Sequence, residues 1–222
     1  MLTFDKSNHI YHWNGKQLPS VTEILEKTGW IDKTWFTDDA RNRGTATHEA
    51  IRLYLQDDLD PDSVHPEVQP RLDAAKQFLH DMKVEPIHIE VPMVCILTPG
   101  QPYAGTPDLV CKIDGAITVI DWKNAAVESC WWPMQMKMYS RLDEIKKLMQ
   151  MKMYSRLDEI KKLKDARLHS VRLLEDGTYR MSKNYRDDLW AGLRVDNAIW
   201  EYVERLSEGL VKLKESNAGG EA

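Results

Sequence analysis

The chain has 222 residues, 42% of them hydrophobic and 29% charged, and a formal net charge of −5. This is the balance of an ordinary globular protein with room for one sizeable domain or two small ones. No apolar run approaches the roughly 20 residues of a membrane span, and the N-terminus lacks a signal-peptide core, so a cytoplasmic protein with no membrane partner is expected. The acidic balance argues against a protein that simply coats nucleic acid. It leaves room for an enzyme that gathers carboxylates around a local phosphate site. Cys95, Cys111 and Cys130 form no CxxC, so they read as core residues or loop thiols, not as a disulfide framework or a zinc site.

In chain order, "NHIYHWNGKQL" reads as two short strands around Asn14-Gly15, a strong hairpin signal. In "PSVTEIL", Ser20 and Glu23 have capping-box spacing at the start of a short helix. Helical spacing runs from about Thr34 to Leu55, with "RNRGTATHEAIRLYL" at its centre, and again through "VQPRLDAAKQFLHDM". The period then changes. Pro86 to Leu97 reads as one strand, "YAGTPDLVCKI" and "AITVIDWKN" as two more joined at Asp114-Gly115, and Pro133 suits the first turn of the next helix. A hairpin of "ARLHSVRLL" and "TYRMSK" follows, then a closing helix from about Arg186 to Lys214. This order predicts one α/β domain over residues 1–215, built on a mostly antiparallel or mixed sheet, and a disordered tail over residues 216–222.

The hairpin at Asp114-Gly115 fits a two-residue type I′ turn, which fixes the register. Counting outward places Asp108 opposite Asp121 in a non-hydrogen-bonded pair, with Cα atoms about 4.5 Å apart. Like charges so placed destabilise a sheet unless something positive lies between them. Lys123 is two residues beyond Asp121 on the same face. Two readings are open on these residues alone. The carboxylates could hold magnesium or manganese, with Lys123 orienting or deprotonating a water or offsetting charge. Alternatively, both are rim residues and Lys123 is an ordinary salt-bridge partner.

"GTPD" (Gly105 to Asp108) followed by "IDWK" (Ile120 to Lys123) resembles the core of the PD-(D/E)XK nuclease superfamily. "RGTATHEAI" upstream, with His48, and "QMKMY" downstream, Gln135 to Tyr139, resemble the motifs of its RecB-type branch. "LPSVTEIL" is similar to the corresponding stretch of phage-type and mitochondrial genome maintenance exonucleases. The resemblance runs from about Leu18 to Tyr139 and implies a restriction-endonuclease-like α/β core, a central mixed sheet flanked by helices. It also implies a magnesium- or manganese-dependent DNA exonuclease acting in recombination, repair or end processing, in the host cytoplasm if phage-encoded. On that resemblance Asp108 and Asp121 are metal ligands and catalytic residues, Lys123 is the catalytic lysine, and His48 and the Trp122 carbonyl are further ligands. Glu90 stands where the superfamily sometimes has an additional acid. Arg41 and Arg43 are candidates to hold phosphate, and Gln135 and Tyr139 to touch the substrate or the lysine region. Three misplaced cysteines imply no iron–sulfur cluster, and no GxxxxGK[ST] is present. A nonspecific endonuclease and a non-cutting DNA- or partner-binding module are the competing functions; the intact Asp108, Asp121 and Lys123 set argues against the latter.

The stretch "MQMKMYSRLDEIKKL" occurs twice without change, from Met134 to Leu148 and from Met149 to Leu163. Gln135 and Tyr139 share a helix face as an i, i+4 pair. Gln150 and Tyr154 cannot occupy the same place, because fifteen residues of helix advance about 22 Å. The short link from Lys123 to Pro133 tethers the first copy near the acidic pair. The spacing to "ARLHSV" marks one copy as surplus. The surplus copy could extend the helix or be extruded as a loop; an apolar stripe running through the junction favours one long helix over 134–163, its far half protruding and available for self-association.

Overall fold

The computed structural model describes residues 1–32, 37–96, 102–148 and 166–218. Three strands, β1 (Leu2–Asp5), β2 (Ile10–Trp13) and β3 (Lys16–Leu18), form an antiparallel N-terminal sheet. Helices α1 (Val21–Lys27), α2 (Asp38–Leu55) and α3 (Gln69–Asp81) follow. Strands β4 (Glu85–Ile89), β5 (Met93–Cys95), β6 (Tyr103–Gly105), β7 (Leu109–Ile113) and β8 (Ala116–Lys123) lead to α4 (Trp132–Ser140). Strands β9 (Arg167–Leu173) and β10 (Tyr179–Met181) precede α5 (Leu189–Ala218).

The central sheet has the order β10-β9-β8-β7-β4. Strands β8 and β9 are parallel and the other neighbours antiparallel, so the expected mixed sheet flanked by helices is what the structure shows. Period-two alternation sends its side chains to two cores. Val110, Ile117, Val119 and Leu168 pack with residues of α1, α4 and α5. Leu109, Cys111, Ile120, Trp122 and Val171 pack with α2 and α3 around Phe78. Burying a large apolar side chain such as Phe78 or Leu109, both 0% exposed, contributes roughly 1.5–3 kcal/mol each.

The β7–β8 register is the expected one, with Ile113 opposite Ala116 and Leu109 opposite Ile120. Asp114 and Gly115 have φ of 49° and 72°, as a type I′ turn requires. The single strand expected over Pro86 to Leu97 is instead two, β4 and β5, and "YAGTPDLVCKI" is likewise divided into β6 and β7. The first break holds Glu90 at φ 47° followed by Pro92, and the second holds Gly105 and Pro107. Proline supplies no N–H to a ladder. Both strands therefore leave the central sheet at one level, and β5 and β6 continue as a separate ribbon packed on the N-terminal sheet through Tyr11, Leu18, Val94 and Ala104.

Ser20 caps α1 by accepting from the Glu23 N–H at 2.9 Å. The Glu23 carboxylate turns to Lys27 and to the hydroxyl of Tyr202, so half of the expected capping box is seen in these contacts. Helix α2 begins at Asp38, later than Thr34, because the Thr37 hydroxyl caps it; residues 33–36 lie outside the described residues. The sequence also hid β1. The closing helix extends to Ala218, beyond the predicted start of the tail, and residues 219–222 lie outside the described residues.

The long helix expected over 134–163 ends at Ser140, and helix resumes over residues 143–148. Tertiary contacts break it. The Met138 carbonyl accepts from the Tyr103 hydroxyl at 3.0 Å and from the Arg141 N–H, and the Leu142 N–H bonds to Tyr139. Met134, Met136, Met138, Leu142 and Ile145 are all 0% exposed, so this part of the first copy is core. The second copy, the junction and the self-association expected of them lie outside the described residues beyond Leu148. Among the described residues, no helix is long and apolar enough to cross a membrane.

Candidate active site

The two strand breaks and the C-terminal end of β8 meet at one place. Asp108 stands just before β7, where its carbonyl accepts the Glu90 N–H at 3.1 Å. Its Oδ2 accepts the Trp122 N–H at 2.7 Å, and its Oδ1 lies 3.2 Å from His48 Nδ1, delivered by α2. Asp121 and Lys123 project from β8 to the same face, with Lys123 Nζ 2.5 Å from Asp121 Oδ2. Lys123 is the ion-pair partner of this buried oxygen, which has no other partner among the described residues. The ammonium also donates to Gln135 Oε1 at 2.7 Å, and Gln135 Nε2 donates to the Tyr139 hydroxyl at 3.2 Å. Behind Lys123 lie the rings of Trp131 and Trp132, 4.7 and 5.6 Å from Nζ, close enough for cation–π attraction.

The glycine of "GTPD" has a packing reason. A Cβ on Gly105 would stand 2.9 Å from Tyr139 Cε1 and 3.0 Å from Val21 Cγ2. The Tyr139 ring lies against that bare backbone, joining two motifs 34 positions apart in the chain.

Electrostatics mark this cluster. Burial raises the Asp121 carboxyl most; Lys123 pulls it down and Asp108 pushes it up, for a net pKa of about 6. Burial alone would lower the His48 imidazole, but the Asp108 carboxylate beside it carries it up to about 9. Asp108 itself is lowered: burial opposes this, and the charges of His48 and Lys123 with the Trp122 N–H prevail. Glu90 is raised by burial and then by Asp108. Several carboxylates held this close repel one another until a cation joins them.

Among the described residues, His48, Glu90 and Asp108 form a group able to hold a metal ion, with ligand atoms within 4.8 Å of one another. Two carboxylates and one imidazole suit a divalent cation; Asp121 is outside this group and pairs with Lys123. Glu90 is steadied from behind by Arg52 at 3.8 Å and Lys6 at 4.0 Å.

A cavity of about 180 Å³ is lined by His48, Asp108, Asp121, Lys123, Gln135 and Tyr139 together with His9, Tyr11, Ser20, Thr22 and Thr106. Trp122 contributes its N–H, while its ring packs edge-on against Phe78 in the core on the other face of the sheet. Arg41 and Arg43 do not line the cavity; they pair with Asp38 and Glu67. His9, Tyr11 and Thr106 escaped sequence reasoning. The density of aromatic and histidine residues in "HIYHW" was the available signal.

No family model matches the chain, and no curated protein matches it. Among solved structures it is similar to LHK-Exo in complex with dAMP, at 13% identity over 91% of this chain and 94% of that one, with a TM-score of 0.40. It is also similar to the structure of SSO0001, at 13% identity over 72% of this chain and 70% of that one, with a TM-score of 0.33.

Proposed function

We propose that this chain is a metal-dependent deoxyribonuclease of the RecB-type PD-(D/E)XK branch, an exonuclease that hydrolyses phosphodiester bonds at DNA ends or in single strands. One observation carries the reading: His48, Asp108, Asp121, Lys123, Gln135 and Tyr139, drawn from separate motifs, line a single cavity. Asp108, Asp121, His48 and Glu90 would hold Mg²⁺ or Mn²⁺, which supplies Lewis-acid polarisation of a phosphate and an acidified water. Lys123, pinned between Asp121 and Gln135, places a positive charge where the phosphate gains negative charge as the water oxygen bonds to phosphorus and the P–O ester bond breaks. Gln135 and Tyr139 hold that ammonium in place and close the cavity beside it. Recombination, repair or end processing in the cytoplasm is the role that suits this chemistry.

The test is end-labelled single- and double-stranded DNA, and circular DNA, incubated with Mg²⁺ or with a chelator. The expected result is progressive loss of linear substrate with Mg²⁺ only. Cutting of circular DNA would make the protein an endonuclease, and binding without cutting would make it a recognition module.

A further inference from the structure

The N-terminal sheet reaches the cavity through His9, whose backbone sits in the left-handed region at φ 55°, a conformation few residues other than glycine, asparagine, aspartate and histidine adopt. Its ring is fixed edge-on to Phe4 and to Tyr11, each with centroids 5.3 Å away, while Phe4 and Tyr11 stack at 4.5 Å. Tyr11 is 1% exposed, so this packing ties His9 to the core of the sheet. The Tyr11 hydroxyl lies 2.8 Å from Thr106 Oγ1 and 3.4 Å from His9 Nε2. Thr106 is two residues from Asp108, so the chain of contacts anchors His9 to the acidic loop.

A cavity that accepts a nucleic-acid strand needs donors for phosphate oxygens beyond the one that is cut. Around this cavity, His48 is engaged with Asp108, Lys123 with Asp121 and Gln135, and Tyr11 with Thr106. Arg41 and Arg43 are off the cavity and paired. When the Tyr11 hydroxyl donates to His9 Nε2, the neutral ring carries its proton on Nδ1. The ring's other neighbours are Phe4, met edge-on, and the Glu26 carboxylate, whose charge acts on the imidazole.

We propose that His9 is a substrate-binding residue of this site, donating a ring N–H to a non-bridging oxygen of a phosphate that flanks the one cut. This rests on the nuclease reading above. The contact serves binding and not the bond-breaking step, because His9 is outside the group of ligand atoms formed by His48, Glu90 and Asp108.

Two variants test it. His9→Gly removes the donor and suits the left-handed backbone; His9→Asn also tolerates that backbone and keeps an amide N–H near the position of Nδ1. His9→Gly is expected to raise KM for an oligonucleotide about tenfold, the value of one hydrogen bond to a charged group, with kcat within about twofold. Anisotropy of a fluorescent oligonucleotide with Ca²⁺ in place of Mg²⁺ is expected to show the same weakening without cleavage. His9→Asn should restore most of both, at a thermal midpoint equal to that of His9→Gly. Unchanged KM and binding in His9→Gly, or an Asn variant as weak as the Gly variant, would overturn the assignment while wild-type cutting left the nuclease reading standing. A kcat loss at constant KM would also overturn it. Wild-type protein that neither cuts nor binds would overturn both.

Discussion

The wall of the cavity built from the sheet end and α2, with His48, Asp108, Asp121 and Lys123, differs from the wall built from the N-terminal sheet and α4 in how its polar groups are satisfied. In the first, buried carboxylates are crowded together and their pKa values are driven apart, with Asp121 raised and Asp108 lowered. In the second, Tyr11, Thr106, Gln135 and Tyr139 are neutral and mutually hydrogen-bonded. Charge crowding is costly for a fold and useful for chemistry. Neutral bonding and packing are cheap and give shape. Gln135 joins the two, with one end of its amide on Lys123 and the other on Tyr139.

Removing charge from the crowded wall should have the largest effect. Asp121→Ala or Lys123→Ala is expected to reduce cutting by about a thousandfold or more while circular dichroism stays that of the wild type. Undiminished activity in both variants would dissolve the distinction between the walls.

Next in size comes the connector. Gln135→Leu with Tyr139→Phe should lower kcat about tenfold, since each hydrogen bond to a charged group is worth roughly 1.5–3 kcal/mol and neutral ones less. The matching pair in the second copy, Gln150→Leu with Tyr154→Phe, should leave kcat unchanged. Equal losses from both pairs would mean the first copy has no privileged place.

The neutral wall is tested through its packing. Gly105→Ala drives a methyl into the Tyr139 ring and Val21, and should cost about 1–3 kcal/mol of unfolding free energy. A variant as stable as wild type in urea would show that the ring is not wedged there.

A smaller effect concerns pH. Burial, opposed by the Thr106 hydrogen bond, pushes the Tyr11 phenol up to about 12. The folded value lies above the unfolded one near 10, so this contribution to stability is complete below pH 10 and is lost as pH rises toward 12. The stability difference between wild type and Tyr11→Phe should therefore shrink between pH 9 and pH 11.5, and a constant difference would contradict the burial of Tyr11. The smallest perturbation is a thiol titration. Cys130 is exposed, Cys95 and Cys111 are buried, and burial pushes the Cys111 thiol up to about 12. One thiol should react with a disulfide reagent in the folded protein and three in denaturant.

Much of this site could be read in the sequence because its signals are local. Asp114-Gly115 fixes a turn, the turn fixes a register, and period-two alternation then puts Asp121 and Lys123 on one face. The i, i+4 spacing of Gln135 and Tyr139 needs only helix geometry. Arg41 and Arg43 lay on the expected helix, but a helix surface points in every direction and sequence spacing could not say which residues face the cavity. Glu90 sat inside an apparent strand. Its approach to His48 and Asp108 depends on the bend at Glu90–Pro92 coinciding with the bend at Gly105–Asp108.

By itself, then, the sequence determined the β7–β8 hairpin, the face carrying Asp121 and Lys123, and the helix carrying Gln135 and Tyr139, all set by contacts within a few residues or across one tight turn. Only the tertiary structure decided that the N-terminal sheet brings His9 and Tyr11 to the same cavity, and that the helix of the first copy stops at Ser140. Those outcomes rest on contacts between distant segments: Tyr11 with Thr106 in one case, and the Tyr103 hydroxyl on the Met138 carbonyl in the other. No local periodicity encodes such pairings, because loop closure and burial select them only once the whole chain packs.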